Sequence, residues 1–243
     1  MATRLNQYGQ PIGPPVESWT SRARPQRTDM PGRYCRLEPV DVERHGNDLL
    51  AAYMEAPDDR DWTYLFFGRP RSPEDFRSYL DKLHGSEDPL HFAIVDTSTH
   101  KAVGTAALMR IEPAHGVIEV GSITFSPRLK KTRAATESMY LLMRRVFEEL
   151  GYRRYEWKCD SLNAPSRSAA ERYGFTFEGI FRDAIVYKGR SRDTAWYSIT
   201  APEWPRIRAA FEAWLDPANF DSQGEQKRRL EARGFPPPGK SAP

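Results

Sequence analysis

Hydrophobic residues recur along this chain with two periods, and the switches between them divide it into elements. Residues 33–38 (RYCRLE) predict a first strand. DVERHGNDLLAAYM (41–54) and SPEDFRSYLDKLH (72–84) space apolar side chains three and four apart, as in a helix with one buried face. Ser72, followed by Pro73 and two acids, is a good helix start. The stretch between them, DDRDWTYLFFGRPR, is aromatic and irregular. After Pro89, LHFAIVD, KAVGTAALMRIE and GVIEVGSITF predict three strands of an antiparallel meander. A long amphipathic helix comes next. Ala135, Met139, Leu142, Met143, Val146, Phe147 and Leu150 form its apolar face; Glu137, Arg144, Arg145, Glu148 and Glu149 form a solvated one. Gly151 stands where a helix ends, at C′.

YRRYEWKCD predicts a further strand, and NAPSRSAAERYGF a short helix closed by Gly174. Residues 175–200 read as two strands joined at KGRS, and APEWPRIRAAFEAWL as a last helix. This order gives an α/β (α+β) fold around one mixed, mostly antiparallel sheet flanked by helices. Residues 1–30, rich in Pro, Gly, Arg and Gln, predict an extended arm, disordered or lying on the surface. Residues 31–215 form the domain. Residues 216–243 form a C-terminal extension that starts docked and ends as a Pro/Gly/Lys tail.

Composition narrows the function. With 243 residues, 39% of them hydrophobic, the chain can bury the core of one good-sized domain. Thirty-six basic residues meet 33 acidic ones, so a nucleic-acid-coating protein is disfavoured and only local basic patches remain. No apolar run approaches the ~20 residues that span a bilayer, and the first residues lack the apolar segment of a secretory signal. Cys35 and Cys159 are too few for a disulfide framework or a zinc cage. They are expected to be reduced core thiols of a cytoplasmic protein. His45, His84, His91, His100 and His115 form no ligand cluster, so no metal is expected.

The chemistry concentrates in SPRLKKTRAATES (126–138). Arg128, Lys130, Lys131 and Arg133 crowd the start of the long helix, with no acid among them. A helix N-terminus carries unpaired N–H groups and partial positive charge, so it disfavours cations. Either the side chains bend away into water, or a polyanion sits on the helix start. A P-loop and a dinucleotide fingerprint are both absent, so the anion is not held in either of those ways.

The motifs around this stretch occur in a familiar order: Pro127, then Ala135-Thr136-Glu137, Asn163, Ser166, Gly174-Phe175, Glu178-Gly179 and Arg182. In order and spacing the chain resembles the GNAT (GCN5-related) N-acetyltransferases over roughly residues 33–200. It is most similar to the ribosomal-protein-alanine N-acetyltransferase-like branch. The family's loop, Arg/Gln-x-x-Gly-x-Gly/Ala, reads Lys130-Lys131-Thr132-Arg133-Ala134-Ala135 here, with Arg133 in place of the first glycine.

The resemblance implies acetyl-CoA as co-substrate, lying between the strand of residues 117–125 and that of 152–159. Backbone groups near Ile123 and Phe125 would pair with the pantetheine arm. Backbone N–H groups of Arg133, Ala134, Ala135 and Thr136 would hold the pyrophosphate, with Lys130, Lys131 and Thr132 in the same loop. Asn163 would fix the coenzyme near its thioester. An amine would then attack the thioester directly.

Glu119, in an otherwise apolar strand, is the candidate base; a structural carboxylate paired with an arginine is the competing reading, and Asp160 and Asp183 are weaker candidates. The tyrosine that many family members place seven positions after the asparagine is Ala170 here, and Tyr173 reads as a packing residue. Ser166 is the alternative proton donor to the leaving thiolate, or a helix cap. Trp62, Tyr64, Phe66 and Phe67 read equally as acceptor groove or core. Arg192-Asp193 reads as structural, and Trp157, Trp196 and Trp204 as core.

The acceptor is left open between a small amine and a protein N-terminus, and so is a homodimer. Two other functions also remain open: a coenzyme A-binding regulatory module with weak turnover, and ribosome or RNA association through the basic arm and tail.

Overall fold

Strands β1 (Arg4–Leu5) and β2 (Pro11–Ile12) make a small separate hairpin. The structure, a computed structural model, describes residues 4–233. The elements that follow are β3 (Met30–Pro31), β4 (Cys35–Pro39), α1 (Val42–Met54), α2 (Pro73–His84), β5 (Leu90–Asp96), β6 (Ala102–Glu112), β7 (Val117–Phe125), α3 (Arg133–Arg144), β8 (Arg154–Asp160), α4 (Ala164–Arg172), β9 (Thr176–Tyr187), β10 (Arg190–Thr200) and α5 (Trp204–Leu215). Strands β3 to β10 form one sheet in the order β3-β4-β5-β6-β7-β8-β10-β9. Every neighbouring pair is antiparallel except β7 and β8. The expected mixed, mostly antiparallel sheet is present.

Helices cover both faces of the sheet's first half, which explains why β5 is apolar at nearly every position rather than alternating. On one face Leu49, Tyr53, Phe76 and Leu80 of α1 and α2 pack on Ala93, Val95 and Ala102. On the other, Met139, Leu142 and Met143 of α3 and Phe211 of α5 pack on Phe92, Ile94, Ile118, Val120 and Tyr155. The face of β7, β8 and β10 beyond α1 and α2 carries charged and polar side chains instead, among them Glu119, Glu156 and Lys158.

The polar face expected on the long helix is only partly solvated. Glu137 and Arg145 are buried. Glu137 accepts from the backbone N–H groups of Arg33, Tyr34 and Cys35 at 2.9, 2.6 and 2.8 Å. Arg145 donates to Thr28 Oγ1 at 3.1 Å and to the Asp29 carbonyl at 3.0 Å. The cause is the segment 28–35, which lies across this side of the helix. The helix closes on a wide turn in which Leu150 N–H reaches the Arg145 carbonyl at 3.0 Å. Gly151 then takes φ +65°, the left-handed geometry expected at C′.

The N-terminal arm follows the surface. Trp19 Nε1 donates to the Ala114 carbonyl at 2.8 Å, and Tyr152 Oη donates to the Ala23 carbonyl at 3.1 Å. Beyond α5, Phe220, Leu230 and Ala232 dock on the main core. The expected Pro/Gly/Lys tail lies outside the described residues. Among the described residues, no helix is long and apolar enough to cross a membrane, and no group of three or more His, Cys, Asp or Glu side chains could hold a metal.

Candidate active site

β7 and β8 run side by side only where Val117–Val120 faces Arg154–Trp157. Past that point β7 continues to Phe125 bonded to β6, and β8 to Asp160 bonded to β10. The bend lies in β7. Ser122 has φ +48°, and the register with β6 shifts between the pairs Ala107–Gly121 and Thr105–Thr124. Such a bulge turns a strand away from its neighbour. Gly121 suits it, because a Cβ there would stand 2.3 Å from Met109 Sδ. α3 follows β7 and α4 follows β8, so two helix N-termini flank the gap at the strands' C-terminal ends. Ligands of open sheets gather at such a place. Ile123 and Phe125 lie on the edge of β7 that β8 has left.

The cationic loop 127–133 is organised without its charges meeting the helix dipole. Arg128 binds the Glu55 carboxylate, with Nε 2.8 Å from each oxygen. Lys130 pairs with Asp61. The Arg133 guanidinium lies between two rings, 4.9 Å from the centre of Tyr34 and 4.7 Å from that of Phe220. Lys131, exposed and at φ +62°, turns the chain into the helix. Thr132 is the N-cap: its Oγ1 accepts from Ala135 N–H at 3.1 Å. Thr136 N–H bonds the Thr132 carbonyl at 3.4 Å. So of the four N–H groups expected to face a pyrophosphate, those of Ala135 and Thr136 are engaged by the cap residue. Among the described residues, the N–H groups of Lys131, Arg133 and Ala134 have no acceptor. Arg133 therefore offers its backbone where the family has glycine, and its side chain is held aside.

Glu119 is 2% exposed and carries two cations. Arg110 Nη1 donates to Oε1 and Oε2 at 2.8 and 2.7 Å, and Lys158 Nζ is 3.0 Å from Oε2. Arg110 reaches it from a bulge in β6, at φ +46°, where the Asp88 carboxylate accepts from the N–H groups of Arg110 and Ile111 at 2.8 and 3.0 Å. Lys158 also bridges to Glu156 at 2.7 Å. A carboxylate has about four lone-pair sites, and these contacts leave one open on Oε1. That oxygen would be 3.5 Å from a Cβ on Gly121, at the mouth of the gap.

Asn163 caps α4, its Oδ1 accepting from Ser166 N–H at 3.2 Å. Ser166 Oγ accepts from Trp157 Nε1 at 3.0 Å, and its own proton faces the sulfur of Cys159, so the hydroxyl is a donor on that side. Asp160 accepts from Tyr187 Oη at 2.7 Å. Burial, reinforced by this carboxylate, pushes the Tyr187 phenol up to about 12, so it remains a donor at neutral pH. Asp183 sits in a bulge of the edge strand β9, bonded to Ser191 Oγ. Tyr173 is buried and stacks on Phe211.

The aromatic segment divides between the two expected roles. Trp62 is buried beside Tyr53, and Phe67 packs on Tyr79. Tyr64 and Phe66 instead reach across the polar face: Tyr64 Oη donates to the Leu162 carbonyl at 3.2 Å, and Phe66 packs on Tyr187. Lys188 Nζ ties the strap down by donating to the carbonyls of Trp62 and Phe67 at 2.7 and 3.0 Å, and Arg190 does so through the Thr63 carbonyl at 2.9 Å.

Arg110 and Lys158 escape sequence reasoning for different reasons. Lys158 shares a strand face with Glu156, two positions before it, and that alternation was a usable signal. Arg110 depends on the β6 bulge, which nothing local announces.

The acetyltransferase (GNAT) domain family matches residues 36–176. A crystal structure of a GCN5-related N-acetyltransferase from Brucella melitensis is similar with a TM-score of 0.87 and 50% identity, covering 88% of this chain and 97% of that one. The Bacillus subtilis protein named "Putative ribosomal N-acetyltransferase YdaF" is 29% identical over 178 residues, 69% of this chain and 90% of its own length. The "Uncharacterized N-acetyltransferase p20" of Bacillus licheniformis is 25% identical over 170 residues, 70% of this chain and 95% of its own.

Proposed function

The chain belongs to the GNAT acetyltransferase family, and we propose that it moves the acetyl group of acetyl-CoA to a primary amine by direct attack. The observation that carries this reading is the gap between β7 and β8, with the free N–H groups of Lys131, Arg133 and Ala134 at its end. Donors without acceptors at a helix start and in the turn before it suit a pyrophosphate. The β7 edge at Ile123 and Phe125 suits an extended amide-bearing arm, which would bond it as a strand does.

When bound, acetyl-CoA supplies the thioester: the amine nitrogen bonds to its carbonyl carbon as the carbon–sulfur bond breaks. The chain's part is to remove one proton and supply another. Glu119 Oε1 takes the amine's proton through a water at its open lone pair. Ser166 Oγ donates to the departing thiolate. Asn163 holds the start of α4, and with it Ser166, in place. The likeness to a relative named for ribosomal N-acetylation keeps a protein N-terminus among the acceptors, beside small amines.

The test is release of free thiol from acetyl-CoA with a panel of small amines and amino-terminal peptides. Turnover with at least one acceptor is expected. Coenzyme binding with no turnover on the panel would favour a regulatory coenzyme A-binding module instead.

Arg133 permits a finer test, because it is the first residue of α3 and Thr132 before it is already extended, at φ −98° and ψ 168°. Proline fits that position and, beyond the side-chain loss it shares with alanine, removes only the N–H. Arg133→Pro is expected to weaken acetyl-CoA binding about 10-fold or more, the value of a hydrogen bond to a charged group. Arg133→Ala is expected to change it less than about threefold while lowering stability by about 1 kcal/mol through the lost ring contacts. Calorimetry and urea unfolding separate the two. Equal affinity losses in both variants would mean that the side chain, not the backbone, meets the coenzyme.

A further inference from the structure

On β10, Arg192, Thr194 and Trp196 occupy alternate positions and so share one face of the sheet. Each has a buried polar atom with no hydrogen-bond partner among the described residues: Arg192 Nε, Thr194 Oγ1 and Trp196 Nε1. Most buried polar groups are paired, and an unpaired one is costly. Three in succession beside an opening in the sheet call for a ligand. Arg192 is the sharpest case. It is 6% exposed, and its guanidinium carbon lies 5.5 and 5.8 Å from the ring centres of Phe66 and Tyr187. Among the described residues no carboxylate pairs with it, although a buried charge without a partner is costly.

The row borders the reaction centre. Across the β8–β10 pairing Thr194 faces Asp160 and Trp196 faces Lys158, the lysine that holds Glu119. Phe66 of the strap covers its Arg192 end, and Phe181 stacks on Trp196 at the other. Beside the strap lies a cavity of about 300 Å³ lined by Arg69, Arg71, Lys188, Arg190 and Trp62, with Asp59 its one acid.

We propose that this row binds the acceptor, and that the acceptor is a small primary amine carrying a carboxylate, of amino-acid type. This deepens the acetyl-transfer reading and rests on it. Arg Nε and Trp Nε1 are donors only, so the ligand must bring acceptors. A guanidinium matches a carboxylate in plane and charge. The cationic rim concentrates anionic ligands. A basic protein tail meets the wrong charge here, and the strap narrows the room for a chain.

The test uses the full-length protein at saturating acetyl-CoA. Thiol release is followed for α-amino acids, for the same amino acids as carboxamides, and for a basic amino-terminal peptide. The carboxamides have the less basic amines, so without recognition any bias would favour them. At least one amino acid is expected to exceed its carboxamide about 10-fold or more in kcat/KM. Arg192→Gln is expected to bring that ratio towards one by raising KM for the acid more than for the carboxamide; Arg192→Lys should recover part of the difference. A folding defect would lower both substrates together and leave the ratio intact. The proposal is overturned by a wild-type ratio near one, by a ratio Arg192→Gln leaves unchanged, by preference for the basic peptide, or by turnover of none of these in protein that binds acetyl-CoA. Absence of coenzyme binding in calorimetry would remove the acetyl-transfer reading itself, and this proposal with it.

Discussion

Glu119→Gln is expected to lower kcat/KM for amine acetylation by about 10²- to 10⁴-fold, the range a positioned general base contributes. The substitution keeps the shape of the side chain and removes its ability to take a proton. It also brings an amide NH₂ against Arg110 and Lys158, which now donate to both oxygens. Some loss of stability is therefore expected, since breaking a buried ion pair leaves its partners uncompensated. The two effects are separable. Arg110→Gln removes one cation but keeps the carboxylate, so it should share the stability loss and keep most of the rate. If Glu119→Gln retains wild-type kcat/KM across the pH range while folded by urea titration, Glu119 is a structural carboxylate and the proton leaves by another route. Asp160 is then the other candidate carboxylate, although Tyr187 already occupies one of its oxygens and the Leu162 N–H the other.

The second large effect is on stability. Glu137→Ala is expected to lower the free energy of unfolding by about 3–5 kcal/mol, because it leaves three backbone N–H groups at residues 33–35 without their acceptor. The site is also tightly shaped: a Cβ on Gly32 would stand 2.6 Å from Glu137 Oε2 and 2.7 Å from the Cys35 carbonyl. Water can replace the carboxylate only poorly in so small a space. Glu137→Gln, with one acceptor oxygen in place of two, should fall between the variant and the wild type. Urea unfolding at constant m-value measures this. A loss under about 1 kcal/mol for Glu137→Ala would mean that the turn finds other partners.

Glu137 also shows where the sequence stopped being legible. Helical period alone put it on a solvated face, and only the crossing of residues 28–35 buries it. The Ala-Thr-Glu motif marked the residue without giving its task. Elements with strong periods fared better: the meander of β5, β6 and β7, the start of α2 at Ser72 and the end of the long helix at Gly151 all stand where patterning put them. Those signals are local, set by caps, turns and alternation.

The site depends instead on long-range geometry. The bulges at Arg110 and Ser122 decide which way Glu119's neighbours point and where β7 leaves β8. No glycine or proline announces the first; Gly121 beside the second reads, in VIEVGSITF, as one position of a continuous strand. The four cations of the loop stand out in the sequence, but the partners of three of them, Glu55 for Arg128, Asp61 for Lys130, and Tyr34 and Phe220 for Arg133, come from separate parts of the chain. Arg192 was legible only as a strand residue, because its burial comes from Phe66, far away in sequence.

The central claim is that the gap between β7 and β8 and the N-terminus of α3 hold acetyl-CoA. Calorimetric titration of the protein with acetyl-CoA tests it most directly. The account predicts one coenzyme per chain, with a dissociation constant in the range of about 1 µM to 1 mM typical of enzyme substrates and a roughly 10-fold or greater weakening in Arg133→Pro. No heat of binding up to millimolar acetyl-CoA, confirmed by unchanged amide exchange at Lys131, Arg133 and Ala134, would contradict it.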